Sequence, residues 1–106
     1  MNLIDPGLVR EQFGALDAEM AERLAAAMQA DLRHWSLALV TGWRHSDDPA
    51  IQRARHALKG LAGNFGAAVL VDMAYRDLPG AIEQAQMQDC AEATIDAILA
   101  AVRNDT

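Results

Sequence analysis

Residues 24–49 read LAAAMQADLRHWSLALVTGWRHSDDP, and this stretch decides the fold. Leu24, Met28, Leu32, Trp35, Leu39 and Trp43 recur every three or four residues, drawing one apolar stripe along a helix. That helix is expected to open on an Asp17 cap and run to about Trp43. Asp47-Asp48-Pro49 then breaks the pattern and restarts it, with Asp48 as the expected N-cap and Pro49 at the first helical position. The restarted helix should reach about Phe65, and Gly66 suits the left-handed position that follows a helix end.

Outward from this hairpin the rest of the chain punctuates itself in the same way. Asp5-Pro6 marks a short first helix over about residues 5–13, stopping near Gly14. A further segment is expected from about Ala67, anchored by Val69, Leu70, Met73 and Ile82. Pro79-Gly80 falls inside it and should kink or split it, since proline removes a helical hydrogen bond. The last helix is expected at Asp89, where Glu92 three residues on resembles a capping box, with Ala91, Ile95, Ile98, Leu99 and Val102 as its stripe. Four long amphipathic segments with short connections hide their stripes against one another. The expectation is an all-α, antiparallel up-down four-helix bundle with a short extra N-terminal helix, one domain over residues 1–106.

Composition agrees. The 106 residues include 22 alanines against 13 β-branched residues, which favours helix over sheet. With 52% hydrophobic and 23% charged residues the chain has the makings of a core, which excludes a disordered chain. The longest apolar run is six residues, Ala97 to Val102, whereas a membrane span needs about 20. The N-terminal residues lack the basic and apolar regions of a secretion signal. A net charge of −6 speaks against broad nucleic-acid binding, and the lone Cys90 against a disulfide or a cysteine-based zinc site. A cytoplasmic protein is expected.

Histidines stand at 34, 45 and 56. Eleven helical residues span roughly 16 Å, too far for a shared metal ion, so no metal site is expected. His56 is the one with a distinctive neighbourhood. On a helical wheel Ile51, Ala54, Leu58, Leu61, Ala62 and Phe65 share one face, and His56 falls about 160° away from it. Gly60 and Gly63 lie on the outward side with it, flanked by Gln52 and Lys59. A glycine inside a helix costs about 0.8–1 kcal/mol relative to alanine. Close helix packing could explain one, but Gly60 points away from the apolar stripe, which favours open access to His56. Lys59 places a mobile cation one turn from the imidazole. Residues 44–60 carry Arg44, Arg53, Arg55 and Lys59 against Asp47 and Asp48, a basic patch in an acidic chain, suited to a phosphoryl group or an acidic cleft. No nucleophile elbow, Walker loop or paired acid and base accompanies it, so a reactive His56 would need machinery from another domain.

Arg55-His56-Ala57-Leu58-Lys59-Gly60-Leu61-Ala62-Gly63-Asn64-Phe65-Gly66-Ala67 resembles the signature of histidine-containing phosphotransfer domains. The family's four-helix fold would cover essentially the whole chain. The resemblance implies that His56 accepts a phosphoryl group, that Lys59 steadies it, and that Gly60 lets the partner approach. The surface met by that partner would include Gln52, Arg53, Arg55, Gly63 and Asn64. The implied partners are response-regulator receiver domains and a hybrid histidine kinase of a bacterial-type two-component phosphorelay. The magnesium that shields phosphate charge would sit on the receiver, leaving this chain without a cofactor. Two departures stand out. Several relatives carry a polar residue about 22 positions after the histidine, where this chain has Leu78; Arg76 is the candidate for a contact from that segment. Pro79 also interrupts a helix that is usually continuous.

Two other readings stay open at this level. The chain could be an interaction module that binds a receiver or kinase without accepting phosphate, or the phosphoacceptor piece of a larger chemotaxis-type kinase. Its opening methionine and complete last segment make an independent carrier the expectation.

Overall fold

The computed structural model describes residues 2–77 and 79–104. The fold is all-helical, with no strand among the described residues. Five helices follow one another: α1 (Pro6–Phe13), α2 (Ala18–His45), α3 (Asp48–Gly63), α4 (Ala68–Ala74) and α5 (Ala81–Asn104). The long α2 packs along both α3 and α5, α4 bridges α3 and α5, and α1 lies on α5.

The caps show why the helices begin where they do. Asp5 accepts from the Gly7 and Leu8 amides, and Asp17 accepts from the Met20 amide at 2.8 Å. At the α2–α3 corner Asp47 serves both helices. Its N–H donates to the Gly42 carbonyl at 2.9 Å, closing α2, while its Oδ1 accepts from the Ala50 N–H at 3.2 Å, opening α3. The cap of α3 is therefore Asp47 and not Asp48, and Pro49 stands one position further into the helix than expected. Ser46, between the two helices, takes the left-handed conformation at φ 50°. Gly42 lets them approach: a Cβ there would lie 3.0 Å from Ile51 Cγ1 and 3.3 Å from the Ile51 nitrogen.

The end of α3 is a Schellman turn. The Ala67 N–H reaches the Ala62 carbonyl at 3.0 Å, and the Gly66 N–H reaches that of Gly63 at 3.3 Å. Gly66 sits at φ 65°, and a Cβ on it would come within 2.5 Å of Asp5 Cβ. The glycine thus permits the turn and also the docking of the N-terminal segment, whose Asp5 N–H donates to the Phe65 carbonyl at 2.8 Å.

The second half of the chain departs from the sequence expectation. The segment begun near Ala67 stops at Ala74, so it is a seven-residue helix and not a long kinked one. Pro79-Gly80 lies in the connection before α5, outside any helix, where the missing proline N–H costs nothing. The last helix starts at Ala81, eight residues before Asp89. Asp89 and Glu92 are thus interior helical residues and form no capping box. Glu92 instead binds Arg33 of α2 through two hydrogen bonds, at 2.7 and 3.0 Å. Ile82, expected as an apolar anchor, stands 73% exposed on the first turn of α5.

One core cluster joins the helices. Met28, Leu32, Leu39, Val40 and Trp43 come from α2, Ile51, Ala54, Leu58 and Ala62 from α3, and Met87, Ala91, Ile95 and Ile98 from α5. Phe65, Ala67, Leu70 and Ala74 close it on the α4 side. Among the described residues no helix is long and apolar enough to cross a membrane.

Candidate functional site

The core face of α3 leaves its opposite side to solvent, and that side carries the candidate chemistry. Ile51, Ala54, Leu58 and Ala62 are buried, while His56, near the middle of α3, is exposed. The imidazole makes no hydrogen bond or ion pair with the protein among the described residues. Gln52 stands one turn before it and Gly60 one turn after, both exposed. A Cβ built at Gly60 or at Gly63 meets nothing within 4 Å. Packing against a neighbouring helix therefore does not account for either glycine. Beyond His56 the helix offers a strip of bare backbone.

Lys59 lies on the flank of this strip that turns towards α4. It borders a shallow apolar groove of about 350 Å³, whose floor and walls include Gly63, Ala67, Val71 and Asp72. Gly63, where a Cβ would meet nothing, borders both this groove and the open strip beyond His56. Arg53 and Asn64 are exposed on the other flank of α3.

Arg55 behaves differently from the expectation that it meets a partner. Its residue surface is only 9% exposed. The guanidinium donates from Nε to the Ala74 carbonyl at 2.7 Å and from Nη2 to the Arg76 carbonyl at 2.6 Å. It also lies over the Tyr75 ring, 5.6 Å from the centroid. A cation is well placed on the open carbonyls at a helix C-terminus. The wheel explains the reversal: Arg55 lies about 100° from His56, on the side that faces α4. Arg76 is exposed, its carbonyl held by Arg55. Leu78, the position 22 after His56, lies outside the described residues.

The other two histidines stay apart from this site. His34 meets the Trp35 ring edge-on, with centroids 4.8 Å apart, and His45 Nδ1 lies 2.9 Å from the Thr41 carbonyl oxygen. Both border a groove between α2 and the start of α3. No group of three or more His, Cys, Asp or Glu side chains among the described residues could hold a metal ion. Burial pushes the Cys90 thiol above its ordinary range, which makes it a poor nucleophile at neutral pH.

Sequence reasoning passed over Tyr75 and Asp72. Tyr75 is 46% exposed at the end of α4, and Asp72 shares the groove with Lys59. Their signal was weak because both depend on where α4 stops and which way it packs. No family model, curated protein or solved structure matches the chain.

Proposed function

We propose that this chain is a histidine phosphocarrier of a multistep phosphorelay. The observation that carries the reading is an exposed, unpartnered His56 in mid-helix, followed by the open backbone of Gly60 and Gly63. It is supported by the resemblance of residues 55–67 to histidine-containing phosphotransfer domains. On this reading α2, α3 and α5, with the short α4, form the antiparallel up-down bundle of that family, and the two-residue α2–α3 connection supports the reversal between those helices.

The chemistry is a reversible exchange. An imidazole nitrogen of His56 attacks the phosphorus of a receiver's aspartyl phosphate in line. The P–N bond forms as the P–O bond to the aspartate breaks, and the carboxylate departs. A second receiver reverses the step with its own aspartate. Lys59 supplies positive charge to the travelling phosphoryl group from one turn away. Magnesium on the receiver shields the remaining charge. The partners are receiver domains and a hybrid histidine kinase in the cytoplasm, and this chain contributes a nucleophile without an ATP site.

The test is incubation with a labelled, phosphorylated receiver. Label should move to this chain, be lost in acid as a phosphoramidate is, and fail to appear on His56→Gln. Uptake by His56→Gln refutes the assignment. Tight receiver binding with no label on the wild-type chain identifies an interaction module instead.

A further inference from the structure

We infer that Arg55 is a positioning residue. It holds the α4–α5 connection against α3 so that Tyr75 and Arg76 form a rim beside His56, which a receiver partner must contact. The inference rests on the phosphocarrier reading and adds to it a specificity surface outside α3.

Arg55 and His56 are chain neighbours, so they stand at the same level of α3, about 100° apart around its axis. Arg55 reaches sideways to the Ala74 and Arg76 carbonyls at 2.7 and 2.6 Å. Residues 74–76 are thereby fixed on the α4 flank of α3, on the side from which Arg55 reaches. No carboxylate pairs with this guanidinium among the described residues. Its donors serve the backbone on either side of Tyr75, and its face covers the Tyr75 ring.

The rim has the chemistry of a recognition surface. Tyr75 remains 46% exposed although its ring is held, and ordered aromatic rings are efficient contact residues because little side-chain freedom is left to lose. The Arg76 side chain is exposed, its carbonyl is engaged by Arg55, and its charge is felt by the Cys90 thiol on α5. A receiver's phosphorylation cleft is acidic, since it must hold magnesium and an aspartate, so an arginine on the rim complements it. The protein as a whole carries −6, which makes a local cation the discriminating element.

Two donors separate the rim from the phosphoacceptor itself. Phosphoramidate is small and needs no docking surface, whereas a phosphorylated receiver does. Arg76→Glu alters an exposed side chain and leaves the clamp intact. It should raise the KM for the receiver by about tenfold or more, a larger factor than any by which it slows phosphoramidate uptake. Tyr75→Ala should act in the same direction. Arg55→Met should raise the same KM and speed amide exchange at Tyr75, Arg76 and Asp77, and Arg55→Lys, which keeps one donor group, should recover part of both. An unchanged KM in Arg76→Glu and Tyr75→Ala overturns the rim. Faster exchange in Arg55→Met with no change in KM overturns the positioning role. A wild-type chain that accepts phosphate from neither donor overturns the phosphocarrier reading, and the rim falls with it.

Discussion

Replacing Gly60 should make the protein more stable and a poorer phosphoryl acceptor at the same time. Gly60 is exposed within α3, and a Cβ there meets nothing within 4 Å. A methyl group therefore disturbs no packing, while alanine outranks glycine in a helix by about 0.8–1 kcal/mol. In a chain of this length that gain corresponds to roughly 4 °C in Tm. Gly60→Gln should keep most of the gain, because glutamine is also a good helix former. It places a long side chain one turn beyond His56, where on the phosphocarrier reading the partner's backbone would come close. Transfer from a phosphorylated receiver should thus fall from glycine to alanine to glutamine while Tm rises or holds. Gly66→Ala is the internal contrast. At φ 65° an alanine costs about 1–2 kcal/mol, and its Cβ would also collide with Asp5, so that variant should melt lower. Circular dichroism melts and transfer rates on the same preparations decide the matter. A Gly60→Gln variant that melts below wild type refutes the open-space account of this glycine, and one that transfers at the full rate refutes its role in access.

The remaining predictions concern charge and helix ends. Lys59→Ala should slow transfer by roughly ten- to a hundredfold without abolishing it, as expected for loss of a charge-assisted contact in the transition state; an unchanged rate makes Lys59 an ordinary solubilising lysine. Ser46→Gly should stabilise the protein by up to about 1 kcal/mol, because Ser46 holds a left-handed conformation that glycine adopts freely; a lower urea midpoint would contradict this. The Arg33 side chain hydrogen-bonds Glu92 and holds its carboxyl below the ordinary range. The pair's stabilisation is therefore present above the unfolded value of about pH 4.3 and fades as pH falls through the lower folded value. Glu92→Gln should lower the urea midpoint at neutral pH, and the difference should shrink steadily as pH falls below the unfolded carboxyl value; a difference that does not shrink in acid points to packing instead of charge.

Much of this architecture was legible in the chain alone, because its decisive signals are local. Apolar spacing over residues 24–43 marks α2, Asp-Pro pairs mark the starts of α1 and α3, and the wheel of residues 51–65 puts His56 opposite the core. Each depends only on helical periodicity and on chemistry within a turn, which neighbouring helices do not alter. Asp48 was expected as the cap of α3 because proline favours the first helical position, but it is tolerated at the second as well, and the Ala50 N–H bonding to Asp47 Oδ1 makes Asp47 the cap. Asp89 and Glu92 misled for the opposite reason. Their spacing satisfies a local rule, but α5 already runs from Ala81, and Glu92 is spent on an arginine 59 positions away. Arg55 is the clearest case of a tertiary decision. In sequence it is one more cation in a basic patch. In the fold, the end of α4 presents two open carbonyls within its reach, and satisfying them draws the guanidinium inward while His56, one residue on, stays in water.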